Sequence, residues 1–253
     1  MPLSDDGLLG LLQEVAESVR AALAGLDDWG LAGPAGSHAG QHHSDLAADA
    51  AALAVLGRAE VGVLSEESGI RGGDRHVVVV IDPLDGSTNA HHGVPWFATS
   101  LCAVDRDGPR VALVADLPRG RTYTARRGGG ATVDGTPLHP STCATLGDAL
   151  VGIAGLPSRS VGWRQFRALG AVALDLCAVA EGTLDAYVDW SASAHGPWDY
   201  LGGALVCAEA GAIVAEAHGR DLLSLDHGTR RAPVAAATRP LLDTLVAARR
   251  DQP

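Results

Sequence analysis

The feature that most constrains this chain is the stretch Val77 to Asn89, VVVVIDPLDGSTN. Val77, Val78, Val79, Val80 and Ile81 form a continuous run of β-branched residues, the pattern of a short strand buried on both faces. Pro83 has no N–H to donate and is expected to end the pairing. Asp82 and Asp85 then stand at the strand's carboxyl end, three residues apart in a tight turn, where both side chains can converge on one point. Two bare carboxylates that close repel each other. A hard divalent cation with oxygen ligands, Mg²⁺ above all, relieves the repulsion and keeps positions open for water and a phosphate. Gly86 lets backbone approach closely, and a helix opening at Ser87-Thr88-Asn89 would turn free N–H groups towards an anion.

The same residues also suit a plain structural turn, and the motif alone leaves both readings open. Calcium binding of the EF-hand type is excluded by Pro83 and by Gly93, which stands where a bidentate acid is required. An aspartyl-phosphate mechanism of the Asp-x-Asp kind needs the acids two apart. Other segments decide the matter. Leu64-Ser65-Glu66-Glu67-Ser68-Gly69 follows an expected strand at Val61 to Leu64 and brings a second acidic pair. Pro197-Trp198-Asp199-Tyr200 precedes a small-residue helical run, Leu201 to Ala210, so Asp199 is expected in a first helical turn, where a capping role competes with ligation.

These segments resemble the inositol monophosphatase family of Mg²⁺-dependent, lithium-sensitive phosphatases. The resemblance rests on SEESG at Ser65 to Gly69, IDPLDGSTN at Ile81 to Asn89 and PWDYLGGALVCAEAG at Pro197 to Gly211, with a looser match over Leu169 to Asp189. It implies a layered α/β/α/β/α sandwich and a homodimer. It implies metal ligation by Glu66, Asp82, the Leu84 carbonyl, Asp85 and Asp199, holding two or three Mg²⁺ ions, with Glu67 as an outer acid. Glu66, Asp49 and Ser87 are the implied catalytic groups, with the Ser87 hydroxyl partnered by Asp49 to orient an attacking water for in-line displacement. Gly86 and Ser87 match the phosphate loop. Gly170, Ala171, Val172, Asp189 and Asp199 match the substrate pocket, with Asp189 a shortened counterpart of an acid that binds a substrate hydroxyl. Leu46 stands in place of a threonine near Asp49, Ala90 replaces an aromatic residue, and Trp190 to Gly196 is longer than the family pattern.

Composition agrees with an enzyme rather than a nucleic-acid binder. The 253 residues are 47% hydrophobic and carry a net charge of −11, whereas a nucleic-acid surface needs clustered cations. No apolar run approaches the roughly 18 residues of a membrane span, and the start lacks a basic flank, so a cytoplasmic location is expected. Cys102, Cys143, Cys177 and Cys207 lack a CxxC spacing and read as core thiols. His38, His42 and His43 lack the spaced partners of a zinc site and read as a solvated loop; His91 and His92 read as solvent-facing.

Leu8, Leu11, Leu12, Val15, Val19, Ala22, Leu23 and Leu26 mark an amphipathic first helix capped by Ser4 or Asp5. A second helix is expected over Ser44 to Leu56, and strands over Val61 to Ser65 and Val77 to Asp82. A meander is expected over Ala98 to Asp105, Arg110 to Asp116 and Arg121 to Ala125. A subdomain boundary is expected near residue 140, giving halves 1–140 and 141–253. Thr88-Asn89 after Ser87 resembles the family's inositol-phosphate branch, and the resemblance implies a neutral polyol or sugar monophosphate as substrate, inositol monophosphate first and histidinol phosphate second. A non-catalytic cation- or phosphate-binding regulator on the same scaffold is the alternative.

Overall fold

The computed structural model describes residues 3–26, 42–191 and 195–252. His38 lies outside the described residues. Six α-helices occur among them: α1 (Asp5–Ala24), α2 (His43–Leu56), α3 (Ser87–His91), α4 (Val172–Glu181), α5 (Pro197–Ala210) and α6 (Arg239–Arg250). The first sheet holds β1 (Gly62–Ser65), β2 (Gly69–Arg71), β3 (Val78–Asp85), β4 (Ala98–Asp105), β5 (Gly108–Asp116), β6 (Arg121–Arg126), β7 (Gly130–Val133) and β8 (Thr136–Pro137), in the order β2-β1-β3-β4-β5-β6-β7-β8. The second holds β9 (Leu150–Ala154), β10 (Gln165–Arg167), β11 (Ala186–Asp189), β12 (Ile213–Glu216) and β13 (Pro233–Ala236), in the order β10-β9-β11-β13-β12. Both sheets are mixed: β1 runs parallel to β3, and β9 parallel to β11, among antiparallel neighbours.

The valine run explains the layering. Along β3, Val79 and Ile81 point into a core shared with Leu8, Leu12 and Val15 of α1 and Ala48 and Ala52 of α2. Val78 and Val80 point the other way, into a core shared with α4 and α5. Period-two alternation therefore feeds two cores from one strand, each side chain contributing about 1.5–3 kcal/mol on burial. On the far side of α4 and α5 lies the second sheet, whose outer face buries Leu241, Leu242 and Leu245 of α6. The order is α1/α2, first sheet, α4/α5, second sheet, α6, which is the expected α/β/α/β/α sandwich.

The sheets draw on residues 62–137 and 150–236. The chain beyond residue 140 nevertheless returns to the first sheet, because α5 packs across β4 and β5. The Ser4 hydroxyl caps α1 by accepting from Gly7 N at 3.2 Å. The expected meander forms, its first strand with the expected bounds and the next two running two residues and one residue further. One expectation fails at the point that matters most. Pro83 does not end β3: pairing is interrupted between Asp82 and Asp85 and resumes with Asp85 opposite Ala98. The interruption tolerates the missing N–H, and the Pro83 carbonyl accepts from Thr99 Oγ1 at 3.0 Å.

Candidate metal centre

Glu66 follows β1, and its N–H donates to the Ile81 carbonyl at 3.2 Å, extending the parallel ladder by one bond. That bond sets Glu66 beside Asp82. Asp82 accepts from Leu84 N at 2.9 Å through Oδ1. Asp199 arrives from the opposite layer as the third residue of α5, where Oδ2 accepts from Gly196 N at 2.8 Å. The capping role weighed from sequence is therefore real, and it coexists with proximity to the other acids. One carboxylate oxygen each from Glu66, Asp82 and Asp199 lie within 4.8 Å of one another. Asp85 lies at the edge of this group and accepts from Ala173 N at 2.7 Å, tying β3 to the first turn of α4.

Crowding and burial make Glu66, Asp82 and Asp85 hold protons unusually well. Burial, then the charges of Asp199, Glu67 and Asp85, push the Glu66 carboxyl up to about 8. Burial and the Asp199 charge raise Asp85 to about 7. Asp82 is raised by burial and by Glu66, Asp85 and Asp199. Among the described residues no arginine pairs with Glu66, Asp82 or Asp85, and the chain has no lysine. An all-oxygen, acidic donor set in which Glu66 and Asp82 have no cationic partner fits a hard divalent cation such as Mg²⁺ and suits a soft or borderline metal poorly.

Beside the acids, Gly86 opens α3. Its φ is +84°, and a Cβ there would stand 3.0 Å from both Ala171 Cβ and the Trp96 carbonyl. Gly170, Ala171 and Val172 thus lie against the loop that starts α3. Asn89 fixes this contact by donating to the Trp96 and Leu169 carbonyls at 2.8 and 2.7 Å. Asp175, fully buried, accepts from Trp96 Nε1 at 2.9 Å.

Three expectations need correction. Asp49 does not partner Ser87: its Oδ1 accepts from Ser65 Oγ at 2.5 Å and from Ser68 Oγ at 3.4 Å, because α2 lies against the end of β1 and the serines flanking Glu66 reach the carboxylate. Asp189, matched to the substrate pocket, is closed off from solvent. Its side chain is fully buried, Oδ1 accepts from Ser191 N at 2.7 Å, and Oδ2 lies 3.8 Å from His195 Nε2. His42 is not a solvated loop residue: its ring stacks on His91 with centroids 4.8 Å apart.

Two histidines at the centre escaped the sequence. His195 Nδ1 stands 3.2 Å from Asp199 Oδ2. Burial pulls its pKa down, but the hydrogen bond to Asp199 and the charges of Asp199, Asp189 and Asp85 outweigh this and lift it to about 9. His227 Nε2 donates to the Glu66 carbonyl at 2.9 Å while its ring lies 4.7 Å from that of Trp198. Arg230 covers the same indole at 5.1 Å. The lengthened stretch Trp190 to Gly196 was a usable sign of the first; nothing local announces the second, which is 161 residues from Glu66.

Known proteins are similar to this chain in sequence and in fold. The Nus factor SuhB of Escherichia coli K12 is 35% identical over 170 residues, covering 61% of this chain and 62% of the relative. An inositol-1-monophosphatase of Mesorhizobium japonicum is 35% identical over 206 residues, covering 71% and 75%. The match thus spans less than two thirds of the Escherichia coli relative's length and three quarters of the rhizobial one. Among solved structures, inositol monophosphatase from Anabaena superposes with a TM-score of 0.79 at 26% identity, covering 98% of this chain and 97% of that one. The inositol monophosphatase family description matches residues 44–253, the span that contains every acid of the cluster. Acids gathered at the interrupted end of β3, in a five-layer sandwich shared with these proteins, have one consistent source: this chain belongs to the inositol monophosphatase family.

Proposed function

We propose that this protein is a Mg²⁺-dependent phosphomonoesterase acting on a small polyol or sugar monophosphate, with inositol monophosphate first. The observation that carries the reading is the convergence of Glu66, Asp82 and Asp199 oxygens within 4.8 Å, without a cationic partner for Glu66 or Asp82, beside the Gly86 turn. Holding such carboxylates together is costly unless a cation compensates them.

Glu66, Asp82, Asp85, Asp199 and the Leu84 carbonyl would hold Mg²⁺, in two or three ions. Bound there, the cation supplies Lewis acidity and a water of lowered pKa. Gly86 and Ser87 offer the phosphate a close backbone approach and a hydroxyl. Asp49 steadies the Glu66 segment through Ser65, a positioning role in place of the water-activating partnership with Ser87. Gly170, Ala171 and Val172 wall the pocket. The product alcohol leaves on the side opposite the attacking water, as in-line displacement requires. Histidinol phosphate is the second substrate, since a small alkyl phosphate makes few demands on the wall. A homodimer in the cytoplasm, without nucleic acid as a partner, completes the reading; among the described residues no helix is long and apolar enough to cross a membrane.

A second reading is supported by the printed name of the Escherichia coli relative, a Nus factor. The chain would then be a cation- or phosphate-binding regulator that keeps the scaffold without turnover. Phosphate release from inositol 1-phosphate, histidinol phosphate and fructose 1,6-bisphosphate, in Mg²⁺ and in EDTA, separates the two. Release that needs Mg²⁺ and falls more than about 100-fold in Asp82→Asn, beyond the range for groups outside the ligand shell, supports the enzyme. Metal-stabilised folding with no release from any substrate supports the regulator.

A further inference from the structure

We infer that His195 is a positioning residue that fixes the plane of the Asp199 carboxylate towards the metal, and that Asp189 and Tyr187 serve His195 rather than the substrate. The inference rests on the reading of the acidic cluster as a metal centre. It assigns a role to a histidine inside the lengthened stretch Trp190 to Gly196.

Asp199 Oδ2 takes two donors from its own chain, Gly196 N at 2.8 Å and His195 Nδ1 at 3.2 Å. With Oδ2 so committed, Oδ1 is the Asp199 oxygen left for a metal held with Glu66 and Asp82. The second torsion of an aspartate is broad and nearly two-fold, so one backbone donor leaves the plane of the carboxylate loosely set. A second donor from another direction fixes it. Outer hydrogen bonds of this kind orient a ligand and raise its affinity for metal.

His195 is itself held. Its N–H donates to the Arg231 carbonyl at 2.7 Å and its carbonyl accepts from Arg231 N at 2.9 Å. Gly196 lets the chain pass Trp198 at a distance no side chain could share, since a Cβ would meet the indole at 2.4 Å. On the far edge of the imidazole, Tyr187 Oη lies 3.3 Å from Nε2 and Asp189 Oδ2 lies 3.8 Å away. That Asp189 oxygen is buried with no hydrogen-bond partner. A fully buried acid with one uncommitted oxygen aimed at an imidazole is ill placed to receive a substrate hydroxyl and well placed to hold the ring. The order is therefore Asp189 and Tyr187, then His195, then Asp199, then the metal. Nδ1 points its proton at Asp199 whether or not Nε2 also carries one, so the role is directional and does not depend on the charge of the ring.

Calorimetric titration of the purified protein with Mg²⁺ tests this without reference to turnover. His195→Ala should weaken Mg²⁺ binding by about 10–100-fold. His195→Asn, whose amide nitrogen takes the place of Nδ1, should recover most of the loss, whereas His195→Gln, which mimics Nε2, should not. Thermal unfolding in EDTA reports whether each variant is folded, and the Asn and Gln pair keeps the test decisive where Ala perturbs the fold. Equal Mg²⁺ affinity in wild type and all three variants would overturn the inference, as would equal recovery by Asn and Gln. Absence of Mg²⁺ binding by the wild type would instead remove the metal-centre reading itself, and the inference with it.

Discussion

Ser65 Oγ donates to Asp49 Oδ1 across 2.5 Å, and both residues are buried. The bond joins α2 to the end of β1, one residue before Glu66. Ser65→Ala leaves Asp49 with the longer Ser68 contact and costs the desolvation of a buried carboxylate oxygen, about 1–3 kcal/mol. For a chain of this size each kcal/mol lowers the melting temperature by about 2–4 °C. Calorimetric unfolding checks it; an unchanged midpoint would mean the bond contributes nothing.

Leu46 replaces a residue type that the family resemblance associates with hydrogen bonding around Asp49. In the fold Leu46 is 39% exposed on the outer side of α2, and Ser65 and Ser68 supply the bonds instead. Leu46→Thr should therefore change stability by less than about 0.5 kcal/mol, the range of ordinary surface substitutions, and leave phosphate release within two-fold, or roughly 0.4 kcal/mol. A marked rise in turnover would show that Leu46 limits the site.

That substitution marks the boundary of what the chain declares locally. Val77 to Ile81, the Ser4-capped stripe of α1 and the three-strand meander are written in residue type and period, so their elements were legible. The acids were legible because three short motifs keep their order and spacing. Pairing across the layers was not. Asp49 meets Ser65 rather than Ser87 because of how α2 lies on β1, His227 reaches Glu66 from the far end of the chain, and Asp189 turns inward on His195. Each depends on packing of elements that no local period encodes. Pro83 misled for a related reason: it forbids one donor, and the sheet met that by an irregularity rather than by ending.

The raised carboxyls give the metal-free protein a definite response to pH. Glu66 near 8 and Asp85 near 7 lie above their ordinary values of 4.5 and 3.8. Between roughly pH 4 and 8 the folded state thus binds more protons than the unfolded chain, so stability falls as pH rises through this window. A bound cation replaces those protons, and its stabilisation grows in the same direction. Melting temperatures measured from pH 5 to 8.5 should separate progressively between EDTA and excess Mg²⁺. At about 100 times the dissociation constant the gain is about 2.7 kcal/mol, or about 5–10 °C at the scale above. Taking the difference cancels groups remote from the metal, such as Glu216, whose carboxyl the Arg220 contact and backbone donors hold down at about 2 against the pull of burial. A gap that stays constant with pH would contradict metal binding at these acids.

Gly86 is the residue whose backbone the turn into α3 cannot exchange. Its φ of +84° lies in the left-handed region, and an added Cβ would press on Ala171 Cβ and the Trp96 carbonyl at 3.0 Å. Gly86→Ala combines backbone strain of about 1–2 kcal/mol with overpacking of about 1–3 kcal/mol. Relieving that contact requires the start of α3 to shift from α4 against the Asn89 hydrogen bonds, which would carry Ser87 away from Asp85 and the Gly170 segment. A displacement near 1 Å in a reacting geometry costs about 100-fold in rate. Gly93 provides the matched control: its φ is +70°, yet a Cβ there meets nothing within 4 Å. Gly93→Ala should lose stability of the same backbone origin, about 1–2 kcal/mol, and keep its kcat/KM. Phosphate-release assays at a temperature where both variants remain folded should show the 100-fold loss in Gly86→Ala alone. Equal activity in the two would mean that the close approach at Gly86 serves the packing of α3 on α4 and not the phosphate.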